Sequence, residues 1–330
     1  PPHTRPPPPP PPTRCTHRRQ RQMCIRDSIY GYDEIPEAPV SGELAPGKSS
    51  GHGVSLDRVR ESLCAAGYQE AINYSFVDHA QLETLQQAEM ALPLANPLSA
   101  DLDVMRTTLL PGLLTSLARN VRRQQSRVRL FETGVAFLQG DSMQEVERVA
   151  GVAIGEVLPE QWSVTNRNIN FYDVKGDVDR LFSMKGAGDS LTYEAGELPW
   201  MHPGASAVIR VNGAVAGYCG AVHPAVLKSF EIKKSVFAFE IDLELLLMRE
   251  VPYAKEFSRF PSVRRDIAVL LPNDILYASV QDCIKATAGP FLENIVLFDV
   301  YQGDNLKEGY KSLAIGLIFN NVSSTLRDED

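Results

Sequence analysis

RFPSVRRDIAVLLP (259–272), ENIVLFDVYQG (293–303) and GYKSLAIGLIFNN (309–321) are three strand-like runs whose order decides the fold of the last quarter of the chain. Asp266 to Leu271 is apolar and β-rich, and Pro272 closes it. Leu276, Val280 and Ile284 then recur every four residues, the spacing of one helix face, until Gly289 and Pro290 stop that helix. Ile295 to Tyr301 alternates, which predicts Val296, Phe298 and Val300 on one face and Leu297, Asp299 and Tyr301 on the other, before a turn at Gly303 and Asp304. In the third run Leu313, Ile315, Leu317 and Phe319 share one face, and Ser312, Ala314, Gly316 and Ile318 share the other.

Strand, helix, strand, strand is the first two-thirds of a split βαβ, ferredoxin-like unit. The block resembles the ferredoxin-fold anticodon-binding domain that ends the β subunits of bacterial phenylalanyl-tRNA synthetases. Phe260-Pro261, Arg265-Asp266-Ile267, Leu297-Phe298-Asp299-Val300-Tyr301 with Gly303, and Lys311-Ser312-Leu313 stand in that family's order. Upstream, Asn96-Pro97-Leu98-Ser99, Met105-Arg106-Thr107-Thr108-Leu109-Leu110-Pro111-Gly112 and Leu130-Phe131-Glu132-Thr133-Gly134 are similar to the same family's synthetase-like module, as are His202-Pro203-Gly204 and Gly220-Ala221-Val222-His223-Pro224. Ile29 to Pro36 resembles the tail of a winged-helix-like domain that precedes the module.

These resemblances divide the chain into 1–28, a Pro/Arg-rich segment; 29–50, a domain tail and linker; 51–250, a noncatalytic class II synthetase-like module; and 257–330, a truncated anticodon-binding domain. Nine of the first twelve residues are proline, and Arg5, Arg14, Arg18, Arg19, Arg21 and Arg26 face a single acid, Asp27. That composition reads as disorder, either a polyproline or basic RNA-binding arm or, since RRQRQMCIRDS resembles translated adapter sequence, a non-native segment.

With 330 residues, 44% of them hydrophobic and 22% charged, the chain is long enough for more than one core. No uninterrupted apolar run reaches transmembrane length. Cys15, Cys24, Cys64, Cys219 and Cys283 form no CxxC pair, so buried free thiols in a cytoplasmic protein are expected rather than a zinc site or disulfide framework. Without residues 1–28 the chain carries 27 basic and 40 acidic residues, net −13, and from Phe257 onward seven basic against ten acidic. Bulk charge therefore excludes coating of nucleic acid, no DNA or membrane partner is expected, and any RNA contact is local, by stacking and edge contacts to unpaired bases.

In the module, Ser55 is placed to cap a helix with Leu56, Val59 and Leu63 on its apolar face, ending near Gly67. A second helix is predicted from Leu109 to Arg123, with Pro111 in its first turn. Arg119, Arg122, Arg123, Arg127 and Arg129 follow within eleven residues without one acid. They suit a helix C-terminus as solvated, dipole-compensating charge, or else form a surface for RNA or for a partner subunit. Strands are predicted at Val128–Leu138, Val149–Val157, Ala207–Val215 and Ser235–Leu243, with helices at Asp173–Phe182 and Pro224–Phe230. The fold class is α+β, an antiparallel sheet with helices packed on it, followed by a truncated ferredoxin-like βαββ domain. The last domain stops short of a second helix and a fourth strand, so the edge of Arg265–Leu271 is expected to be exposed.

Catalytic residues are expected to be absent. Activating an amino acid with ATP needs cations on the phosphates. Class II catalytic modules place an arginine two residues before a glutamate in one strand, but Arg129 and Glu132 are three apart and point to opposite faces. The glycine pair Gly186 and Gly188 is followed by Asp189, Ser190 and Leu191, with no arginine. His202 and His223, each before proline, read as turn or strand-end residues rather than a metal pair or general base. Asp173, Lys175 and Asp177 read as solvated charges at a helix start.

The resemblance implies an α2β2 heterotetramer joining phenylalanine to tRNA(Phe), with ATP and Mg2+ used by the whole enzyme and neither bound by this chain. It assigns the active site to the α subunit, and scaffolding and tRNA binding to the β subunit. The β subunit's editing domain and magnesium-binding carboxylates lie upstream of the segment matched here. Arg259, Arg264, Tyr301 and Lys311 are the candidate tRNA-contact residues, with Tyr301 offering a ring for a base and Ser312, Ala314 and Gly316 allowing close approach; Tyr301 packed into its turn is the alternative. The alternative to a ligase subunit is a free-standing RNA-binding or regulatory protein with a borrowed fold. An exposed apolar partner surface favours the first reading and a closed polar one the second.

Overall fold

The computed structural model of the protein describes residues 29, 31, 53–140, 142–185, 191–248, 258–303 and 306–326. Apart from Ile29 and Gly31, all of these lie in the unit Gly51–Asp330. The segment 1–28, most of 29–50, the joint 249–256 and the glycine pair Gly186 and Gly188 fall outside the described residues.

The Ser55 hydroxyl caps α1 (Leu56–Ala65), accepting from the Arg58 amide, and buries Val59 and Leu63. Short elements follow: β1 (Gln69–Glu70), β2 (Phe76–Val77), α2 (His79–Thr84) and β3 (Val104–Met105). Helix α3 (Leu110–Arg122) holds Pro111 in its first turn, where a missing N–H costs nothing. Next come β4 (Val128–Gln139), β5 (Met143–Ile154), α4 (Phe171–Ser183), β6 (Leu191–Ala195), β7 (Met201–Val211), β8 (Ala214–Val222), α5 (Pro224–Ser229), β9 (Phe237–Asp242) and α6 (Leu243–Leu247).

Seven of these strands form one sheet in the order β1-β4-β5-β9-β8-β7-β6, with β1 parallel to β4 and every other pair antiparallel. Alternate residues of the central strands face opposite layers. Phe131, Val149, Phe239 and Ile241 pack with α1, α4 and α6. Leu130, Ala150, Val152 and Ala238 pack with Leu110, Leu113, Leu114 and Leu117 of α3 and with Val226 and Leu227 of α5. Helices on both faces bury the centre of the sheet, and each such leucine or phenylalanine contributes about 1.5–3 kcal/mol.

Two predicted strands need correction. The run Ala207–Val215 is broken by Asn212 and Gly213, whose φ values of 50° and 82° make the two-residue hairpin joining β7 to β8. Strand β5 begins at Met143 rather than Val149, because its first half is largely exposed and carries no apolar alternation. The cysteine expectation also changes: Cys219 is buried, with burial pushing its thiol up to about 12, but Cys64 and Cys283 are exposed. Among the described residues no helix is long and apolar enough to cross a membrane.

The last described region is β10 (Val263–Pro272), α7 (Tyr277–Thr287), β11 (Leu292–Tyr301) and β12 (Tyr310–Phe319), the strand-helix-strand-strand order read from the sequence. Its antiparallel sheet runs β10-β12-β11, so β10 has one strand neighbour among the described residues. The predicted faces of β11 are overturned. A register irregularity between Leu297 and Asp299 pairs Val296 with Gly316 but Tyr301 with Ser312. Gly316 and Ser312 share a face, so Val296 and Tyr301 do too: one extra residue flips everything beyond it. The Phe298 ring lies 5.1 Å from the guanidinium of Arg264, whose strand partner Ile318 is on that same face. Phe298 and Tyr301 therefore project together.

Candidate functional site

The motif Met105-Arg106-Thr107-Thr108-Leu109-Leu110 brings the chain across the sheet into α3, and Arg106, Thr107 and Thr108 are buried there. Arg106 Nη1 donates to Glu132 Oε1 at 2.6 Å, and its Nε donates to the Val135 carbonyl at 2.9 Å. The guanidinium passes Gly134 so closely that a Cβ there would stand 2.3 Å from Nη2, which explains the glycine in Glu132-Thr133-Gly134. Glu132 Oε2 accepts from Asn73 Nδ2 at 2.6 Å, and Asn73 Oδ1 accepts from the Ser116 hydroxyl of α3 at 2.8 Å.

A second carboxylate, Glu240 of β9, accepts from the Thr108 hydroxyl at 2.6 Å, the Leu109 amide at 3.1 Å, Arg148 Nη1 at 3.3 Å and the Tyr218 hydroxyl. Burial, then the neighbouring Glu240 charge, pushes the Tyr218 hydroxyl far above the ordinary tyrosine range, so it remains a proton donor. A buried carboxylate is tolerated only when its lone pairs are satisfied. Both are, and the network pins the start of α3 to β4, β8 and β9.

On the opposite face Arg129 Nη1 pairs with Asp177 Oδ2 at 3.3 Å and lies over the Tyr68 ring at 5.4 Å. Tyr68 donates its hydroxyl proton to the same Asp177 oxygen at 3.0 Å. Burial raises the Asp177 pKa against the pull of Tyr68 and Arg129. Asp177 is thus a buried anchor of α4, not the solvated charge expected from sequence; nothing in its local spacing announced a partner 48 residues away. Asp173, by contrast, completes a capping box with Asn170 and grips Arg167 through both oxygens at 2.7 Å. Arg129 and Glu132 do point to opposite faces, each committed to its own buried ion pair.

His223 Nδ1 accepts from the Ala225 amide and so caps α5, while His202 Nδ1 accepts from the Gly204 amide. Among the described residues no three His, Cys, Asp or Glu side chains are grouped to hold a metal ion.

The four candidate tRNA-contact residues do not form one cluster. Arg264 and Tyr301 share a sheet face, but their β12 partners Ile318 and Ser312 are six residues apart, about 20 Å along a strand. Arg264 is held by Asp266 at 2.7 Å as well as by the Phe298 ring. Tyr301 is partly exposed, and its ring runs against Gly303, where a Cβ would come within 2.6 Å of the hydroxyl. Lys311, opposite Leu271, faces the other way and donates to the Asn273 carbonyl at 2.9 Å. Arg259 is exposed ahead of β10. Phe298, missed in the sequence because alternation put it on the other face, is the half-exposed ring beside Arg264.

The arginine cluster also divides. Arg127 donates to the Glu156 and Val157 carbonyls and Arg129 is buried. Arg119, Arg122 and Arg123 are exposed at the end of α3, with Arg122 Nη2 2.5 Å from Glu231 Oε2.

A helix-covered, mainly antiparallel sheet, its polar centre closed by two paired carboxylates, followed by a smaller three-stranded sheet, defines an α+β protein. Residues 35–243 match the family model described as the phenylalanyl tRNA synthetase beta chain CLM domain, and residues 258–330 match the ferredoxin-fold anticodon binding domain. The chain belongs to the phenylalanyl-tRNA synthetase β chain family. It is 44% identical over 306 residues to the phenylalanine–tRNA ligase β subunit of Xanthomonas euvesicatoria pv. vesicatoria, and 41% identical over 303 residues to that of Pseudomonas fluorescens. Each match covers 92% of this chain and 38% of the relative, so the chain spans well under half their length. Among solved structures, a pyrrolysyl tRNA synthetase from Desulfitobacterium hafniense aligns over 60% of this chain and 67% of its own, at TM-score 0.45 and 15% identity, a likeness too distant to bear on fold or function.

Proposed function

We propose that this chain is the scaffolding and tRNA-binding part of a phenylalanine–tRNA ligase β subunit, with residues 51–250 as a noncatalytic synthetase-like module and 257–330 as the anticodon-binding domain. The observation that carries the reading is the fate of Arg129 and Glu132. Each is spent on a separate buried ion pair, on opposite sides of the sheet, which supports a module that does not use them on a nucleotide phosphate. ATP, Mg2+ and phenylalanine then belong to the α subunit of an α2β2 heterotetramer in the cytoplasm, and this chain contributes surface. Ile72 and Tyr74, 93% and 69% exposed directly after β1, supply the apolar surface that favours a subunit over a free-standing RNA-binding protein.

The test is co-expression of the chain with a bacterial phenylalanyl-tRNA synthetase α subunit, reading complex mass by light scattering. A stable complex is expected, and Ile72→Asp with Tyr74→Asp weakens it by more than about tenfold. A chain that stays monomeric, beside a full-length β subunit that binds, overturns the reading.

A further inference from the structure

We infer that the adjoining ends of α3 and α5 form an RNA-backbone site on the module, additional to the C-terminal sheet; the inference rests on the tRNA-binding reading above. Arg119, Arg122 and Arg123 are exposed at the end of α3, and the fold brings three lysines to them. Arg122 reaches Glu231, 109 residues away in the turn after α5, and Lys234 Nζ approaches the Ser126 carbonyl at 3.5 Å. Lys228, Lys233 and Lys234 are thereby brought beside the arginine end of α3, all three exposed.

Helix-end compensation does not account for so many cations. Each helix C-terminus carries about half a negative charge, while these six cations with Glu231 leave a net of +5 on a chain that is otherwise acidic. Toward Arg127 the surface falls into a cleft of about 910 Å³ lined also by Glu156 and Glu160, which bounds the positive area. The exposed large apolar side chains of the described residues all lie outside 119–126 and 224–235. A protein interface needs an apolar centre, whereas a phosphate backbone needs only placed cations. The surface therefore fits RNA rather than a protein partner.

The test uses the full chain, so that its N-terminal arginines contribute equally to every variant. Binding of a labelled tRNA(Phe) transcript is followed by fluorescence anisotropy across a salt series. Arg123→Ala, Lys233→Ala and Lys234→Ala together are expected to weaken binding about tenfold at low salt and to make the log–log salt slope shallower by roughly two. The charge-keeping variant Arg123→Lys, Lys233→Arg, Lys234→Arg binds as the unaltered chain does, with the same melting temperature. Unchanged affinity and slope in the alanine variant overturn the site; if Arg264→Ala with Tyr301→Ala still weakens binding, the tRNA-binding reading stands without it. An alanine variant that loses the α subunit but keeps the transcript also overturns it, by making this a protein interface. No binding of the transcript by the unaltered chain removes the site and the tRNA reading together, and leaves the scaffold reading to light scattering.

Discussion

The seven-stranded sheet is packed on both faces, with Leu113, Leu114, Val152 and Phe239 fully buried, whereas the β10-β12-β11 sheet buries only Leu313 and Ile315 among its described apolar side chains. Both are laddered along long antiparallel strands, and both carry register irregularities, in β11 of the smaller sheet and between β7 and β8 of the larger. What differs is the area taken out of water, and area rather than ladder length sets stability. Leu270, Phe298, Val300 and Tyr301 remain exposed in the smaller sheet, and β10 has one strand neighbour among the described residues.

The sharpest way to break the contrast is from inside the larger sheet. Glu132→Ala strands Arg106 in a buried site, and the unfolding free energy of the module is expected to fall by about 3–5 kcal/mol, read as a lower urea midpoint. Ile315→Ala removes half of the smaller sheet's buried pair at a cost of about 2–4 kcal/mol. In urea titrations followed by tryptophan fluorescence, which reports on Trp162 and Trp200, the module's transition is expected to stay in place. Native hydrogen exchange sharpens the comparison without mutation: amides of Val149–Ile154 are expected to exchange more than about a hundredfold slower than those of Ile267–Leu270. Equal protection removes the contrast.

Two smaller effects concern the module's surface. The Arg167 fork holds the Asp173 carboxyl below its ordinary range, assisted by the Asn170 amide and opposed by burial. Such a group contributes stability above the unfolded aspartate value of about 3.9, and loses it as pH falls through the lower native value. Asp173→Asn is expected to flatten the stability profile below about pH 4 relative to the unaltered chain, measured by urea midpoints between pH 5 and pH 2. Arg122→Ala breaks an exposed pair and is expected to change stability by less than about 1 kcal/mol.

Element types were readable wherever one face is buried and uninterrupted. The cap at Ser55, Pro111 in the first turn of α3, and the Leu313–Ile315 alternation each carry their cause within a few residues. Two backbone events defeated the same reasoning. Asn212-Gly213 is a local hairpin signal that a run of apolar neighbours concealed, and the β11 irregularity has no mark in composition. Long-range partnership was illegible in principle: Asp177 with Arg129, Glu132 with Arg106 and Glu231 with Arg122 are each joined by the fold and separated in the chain. The site residues suffered most, since a charge that looks free in sequence is as easily an anchor, as Arg264 and Lys311 show.

The position of β9 between β5 and β8 has a consequence for a nascent chain. The β4–β5 hairpin and the β6–β7–β8 meander are each local in sequence, yet both keep an unpaired border until residues 237–242 arrive to join them. During synthesis the ribosome must therefore deliver nearly the whole module before its centre can close, and Phe239, Glu240 and Ile241, the residues that satisfy both layers, emerge near the end. Late, non-local closure of this kind makes for slow folding and a long exposure of sticky intermediates.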